Sequence, residues 1–308
     1  MTRVDKLTVA VFGLLMLAGA VLVHGGQRGP GQGQLPSPFP LANPVREHGS
    51  SITGAFEGWY SNKDGSVGLL VGYFNRNTKQ EIDIPIGPNN RIEPGGPDLG
   101  QPTHFMTGRQ WGVFAVKVPK DFARKELAWT IVANGQTNVI TMHTRADWIV
   151  SPFEDPANKN TPPAIRFQPG GPVFLGPPSG TAASFDAVVG EPLPLTVYAT
   201  DEGPKVNVPD PTPGRGGRGA GLPAPVVVSW SVMRGPGAVK FENPRPAIET
   251  ENGGKATATA YFAAPGEYIL RVQGNDSTGD GGGGFQCCWT NAHVRVAVTP
   301  AKATKPGI

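Results

Sequence analysis

Apolar and polar positions alternate along most of this chain, and glycine, proline and asparagine cut the alternation into short runs. In QEIDIPIG, Ile82, Ile84 and Ile86 alternate with Glu81, Asp83 and Pro85. A period of two places one face of a strand inside and the other in water. Similar runs are AFEGWYSN, SVGLLVGYFN, WGVFAVKVP, ELAWTIVAN and QTNVITMHT. Asp64-Gly65 and Asn134-Gly135 stand between adjacent runs, and these dipeptides supply the backbone conformations of a tight hairpin. Only KDFARKEL reads as briefly helical. Residues 51–150 are therefore expected to form an antiparallel β-sandwich of about seven strands.

SPFEDPANKNTPP, residues 151–163, reads as a proline-rich linker. A second series follows over residues 164–300: AIRFQP, AASFDAVVG, PLPLTVYATD, VVVSWSVM, AVKFEN, KATATAYFAA, GEYILRVQGND and CWTNAHVRVAVTP. The fold class expected is all-β, with two immunoglobulin-like β-sandwich domains in tandem. Residues 301–308 are a short tail.

The N-terminus adds a different signal. Arg3 and Lys6 precede an apolar run from Leu7 to Val23, which marks residues 1–25 as an export signal or an uncleaved membrane anchor. The run is long for a signal core and short for a spanning helix. Residues 26–50, rich in Gly, Pro and Gln, read as a flexible tether. Location is therefore periplasmic, cell-surface or extracellular, with membrane contact only through an uncleaved N-terminus. The 27 basic and 24 acidic residues leave a net charge of +3 with no basic stripe, so no nucleic-acid partner is expected.

The second series resembles bacterial immunoglobulin-like domains of the PKD type. The pieces that carry the resemblance are GEPLPLTVYATDEG, VVVSWSVMRGPGAVKFENP, ATATAYFAAPGEYILRVQGND and the final AHVRVAVTP. The Trp230 strand and the segment holding Ala263, Pro265, Gly266 and Tyr268 are its most specific parts. The W-D-F-G-D-G signature of such repeats is replaced by residues Trp230 to Gly237, WSVMRGPG. The resemblance implies a spacer or adhesive module.

No H-E-x-x-H, G-x-S-x-G or Walker sequence is present, so the chain is read as non-enzymatic and without a cofactor. The histidines are scattered and read as surface or sheet residues. Candidate binding residues cluster instead after two strands. Asp201 and Glu202 follow one, and Asn275, Asp276 and Asp280 follow another; in an immunoglobulin-like sandwich both connections emerge at one end. Asp201, Asp276 and Asp280 are a candidate Ca²⁺ set, since Ca²⁺ takes six to eight oxygens; Asp and Asn are equally ordinary in turns. Arg215 and Arg218 lie in the long Gly/Pro loop at the same end. The expected partner is a protein or polysaccharide of the cell envelope or extracellular matrix.

Trp59, Tyr60, Tyr73, Phe74, Trp111, Phe114 and Trp129 supply either sandwich core or a sugar-binding platform. The chain holds two cysteines, Cys287 and Cys288, side by side. In a regular strand they point to opposite faces. Counting back from Val298, Val296 and Val294, Cys288 takes the inward parity and Cys287 the outward one. Either the strand is regular and the thiols diverge, or it is bulged and a vicinal disulfide joins them.

Overall fold

The computed structural model describes residues 46–123, 125–156, 159–203, 226–276 and 287–302. The stretches expected as an export signal and, for the most part, a tether, together with Arg215, Arg218 and Asp280, lie outside the described residues. In the first half the strands are β1 (Ile52–Ser61), β2 (Val67–Asn75), β3 (Ile82–Asp83), β4 (Asn90–Glu93), β5 (His104–Phe105), β6 (Gly108–Val118), β7 (Leu127–Ala133) and β8 (Gln136–Met142). Two three-stranded sheets, β1-β2-β6 and β4-β7-β8, face each other, with a short β3-β5 ladder beside them. Leu69, Val71, Phe114, Trp129, Ile131 and Met142 fill the space between. Asn134 and Gly135 take positive φ values of 47° and 74° and join β7 to β8 as a hairpin.

QEIDIPIG is not a full strand. Its alternation holds, with Ile84 buried, but ladder pairing is confined to Ile82 and Asp83. Pro85 has no N–H to continue it. KDFARKEL contributes one 3₁₀ turn, Lys120–Phe122.

The second half contributes β9 (Ala164–Arg166), β10 (Thr181–Val188), β11 (Leu193–Thr200), β12 (Val226–Arg234), β13 (Val239–Glu242), β14 (Lys255–Phe262), β15 (Gly266–Asp276) and β16 (Trp289–Thr299). Two four-stranded sheets, β10-β16-β15-β12 and β13-β14-β11-β9, close on Leu195, Val197, Trp230, Leu270, Val272 and Val294. The opening strands are split between the sheets, and β10 runs parallel to β16. This is an immunoglobulin-like sandwich.

The described residues form one compact unit. The outer face of β12-β15-β16 packs on the first sandwich, and Met233 and Ile269 join the first core. Two register shifts shape the contact: β1 slips between Phe56 and Gly58, and β6 slips opposite Val71 and Tyr73. The slip in β6 places Gly112 at φ 51°, beneath the ring of Trp289. The 151–163 stretch, expected as a linker, buries Pro152, Asn160, Pro162 and Pro163.

Candidate functional site

β11, β15 and β16 meet the 159–163 stretch at one end of the second sandwich. Asp201 accepts a hydrogen bond from the Gly203 N–H at 3.1 Å. Asp276 is 1% exposed and accepts one from Asn160 Nδ2 at 2.5 Å. Thr290 donates its hydroxyl to the Pro163 carbonyl at 2.6 Å and accepts the Gly176 N–H at 2.9 Å. Asn275 pairs in register with Trp289. Asp276 is thus held inside the fold, while Glu202 lies at the surface. Among the described residues, no three His, Cys, Asp or Glu lie close enough to share a metal ion.

Cys287 and Cys288 are bonded to each other across a cis peptide, with their Cα atoms 3.1 Å apart. Both are buried immediately ahead of β16, and Cys287 Sγ lies 3.7 Å from the Asn160 carbonyl oxygen.

Between the sandwiches lies a buried polar cluster that sequence patterning did not single out. Glu57, left over by the slip in β1, accepts from Arg109 Nη2 at 2.6 Å and from the Gly112 N–H at 2.8 Å. Burial pushes its carboxyl up to about 7, outweighing the Arg109 guanidinium beside it. From β16, Asn291 Nδ2 donates to the Gly112 carbonyl at 2.9 Å, and His293 Nε2 donates to the Val113 carbonyl at 2.8 Å. Burial holds the His293 imidazole down at about 4. From β15, Arg271 Nη2 donates to Gln110 Oε1 at 2.6 Å. Glu57 carried one local signal, a lone carboxylate within an apolar run and ahead of a glycine.

Arg109, Gln110 and Arg271 of this cluster also line a cleft of about 640 Å³, together with Trp111, Trp230, Arg245, Gln273, Asn275 and Trp289. The Arg109 guanidinium lies 3.7 Å over the Trp111 ring, a cation–π arrangement. Arg271 Nη1, Trp230 Nε1 and Trp289 Nε1 are buried with no hydrogen-bond partner. The cleft is therefore positively charged, with unpartnered donors buried in its wall, and it sits beside the sheet end where Asn275 and Asp276 lie.

The first-half aromatics divide. Tyr60, Tyr73, Phe114 and Trp129 are buried. Trp59 is half-buried and donates its indole N–H to the Arg145 carbonyl at 2.6 Å. Phe74 is half-buried and lies under the Arg76 guanidinium. Of this group Trp111 reaches the cleft. They do not share one exposed face.

No protein-family model and no curated protein matches the chain. Among solved structures it is similar to the D00-D0 domain of intimin, at 12% identity over 80% of this chain and 100% of that one, with a TM-score of 0.24. For the S-layer protein SbsC, domains 4 and 5, identity is 11% over 63% of this chain and 85% of that one, with a TM-score of 0.22. For the titin Ig tandem domains, identity is 8% over 82% and 100%, with a TM-score of 0.22. Overlaps this slight carry no argument, and the all-β, immunoglobulin-like assignment rests on the ladders described above.

Proposed function

We propose that this chain is an exported, non-enzymatic binding module of the cell envelope, with partner capture at the loop-bearing end of the second sandwich and the adjoining cleft. The observation that carries the reading is the cleft itself. Two sandwiches are packed together so that Arg109, Arg245 and Arg271 line one cleft, and Arg271 Nη1 has no acceptor of its own. Buried donors without partners cost free energy, so a surface that keeps them is suited to a ligand that supplies acceptors. Export rests on the charged-then-apolar N-terminal sequence, and a cysteine pair persists as a disulfide in an oxidising compartment. β11 and β15 end, and β12 and β16 begin, at this end of the sandwich, and the connections between strands of a rigid sandwich are where recognition is usually built.

Deleting residues 215–221, which hold Arg215 and Arg218, tests the reading. Capture of envelope fractions by immobilised protein should fall several-fold while the melting temperature stays within about 2 °C of the parent. A deletion variant that stays folded and captures as well as the parent defeats the proposal.

A further inference from the structure

We propose that the cleft between the sandwiches binds a carboxylate-bearing sugar unit of an acidic polysaccharide. This inference rests on the binding-module reading and names its ligand class. Three guanidiniums line the cleft, those of Arg109, Arg245 and Arg271. The carboxylate in contact with this wall, Glu57, has its two oxygens committed to Arg109 and the Gly112 N–H. Arg271 is 7% exposed. Its Nε reaches Ser231 Oγ at 3.4 Å and its Nη2 holds Gln110, but Nη1 has no acceptor. Arg245 is exposed at the rim and forms no ion pair among the described residues. Excess positive charge with a spare guanidinium arm calls for an oxyanion; the exposed Arg245 can meet a carboxylate with two parallel hydrogen bonds, and Arg271 can add one from Nη1.

The rest of the lining separates a sugar from a bare anion. Trp111, half-buried, offers an indole beside the charges, and the Trp230 and Trp289 rings line the same cleft. Ser229 and Gln273 can each donate and accept, as sugar hydroxyls require. A free inorganic anion needs neither flat apolar walls nor neutral amide and hydroxyl partners. The volume falls within the roughly 300–1,000 Å³ of small-ligand sites.

The test is calorimetric titration of the full chain with tetragalacturonate, with its methyl ester as the neutral control and inorganic sulfate as the plain anion. Saturable binding of the acid is expected, at least tenfold weaker binding of the ester, and little competition from sulfate. Arg245→Glu, at an exposed position, should weaken tetragalacturonate at least tenfold with an unchanged melting temperature. Arg271→Gln should weaken it likewise, at a cost in melting temperature because Arg271 is buried, and Arg245→Glu keeps the test decisive if Arg271→Gln unfolds. Equal affinity for acid and ester, unchanged affinity in Arg245→Glu, or no saturation overturns the proposal; sulfate competing at equal concentration overturns the sugar assignment. If tetragalacturonate fails while envelope capture still depends on residues 215–221, the ligand class falls and the module reading stands.

Discussion

Trp289→Ala should lower unfolding stability by about 3–5 kcal/mol, the range for truncating a fully buried large aromatic. Trp289 is 1% exposed and packs with Tyr60 and Leu70 in a cluster distinct from the two sandwich cores. Tyr60 and Leu70 belong to the first sandwich and Trp289 opens the last strand of the second, so the loss falls on the contact between them. The reciprocal change is Gly112→Ala. A Cβ there would overlap the Trp289 ring, and the residue sits at φ 51°. In the parent, Gly112→Ala carries both penalties, the overlap and the left-handed backbone. In a Trp289→Ala background the ring is gone, and only the backbone penalty of about 1–2 kcal/mol remains. Urea denaturation of the two single variants and the double variant therefore gives a strongly non-additive cycle. Additive losses would show that Trp289 does not press on Gly112.

What was legible in the sequence is what local physics controls. Asn134-Gly135 announced its hairpin because few residue pairs accept two consecutive positive φ values. The inward parity of Val294, Val296 and Val298 followed from period two alone, and all three are core. The opposite face was not legible. Trp289, Asn291 and His293 share the outward parity, which a single strand presents as wet, yet this face lies against Gly112 and Val113, about 180 residues earlier. Arg271 in YILRVQ stands at the outward parity between the core residues Leu270 and Val272, and it is buried by the same docking. Sheet-on-sheet contact between distant segments leaves no periodicity of its own. A bulge goes further and breaks the periodicity that exists, and so Glu57 escaped the pattern that located its neighbours. The one available hint was that the outward face of β16 begins with Trp, Asn and His rather than with lysines and glutamates.

The buried pair Glu57 and His293 should make stability respond to pH in a way that single substitutions expose. Glu57 is raised by burial from 4.5 to about 7, against the pull of Arg109 and, more weakly, Arg271. Its contribution is therefore full below pH 4.5 and is lost as pH rises to 7, a swing of about 3 kcal/mol. His293 is lowered from 6.5 to about 4 by burial, with Arg271 and Arg234 pushing the same way and the Val113 carbonyl opposing. Its contribution is full above pH 6.5 and is lost as pH falls to 4, again about 3 kcal/mol. The windows overlap and the signs oppose. On folding near pH 5.5, Glu57 takes up a proton and His293 gives one up, so together they leave the parent nearly flat. Glu57→Gln should unmask the histidine, with stability falling as the solution is acidified from pH 6.5 to 4. His293→Gln, whose amide can still donate to the Val113 carbonyl, should unmask the glutamate, with stability falling as pH rises from 4.5 to 7. Urea denaturation across this range isolates the pair, because every other titrating group is common to the three proteins. Opposite slopes in the two variants establish that these residues are neutralised on folding in the contact between the sandwiches; parallel profiles would mean that the contact admits enough water to keep both at their ordinary values.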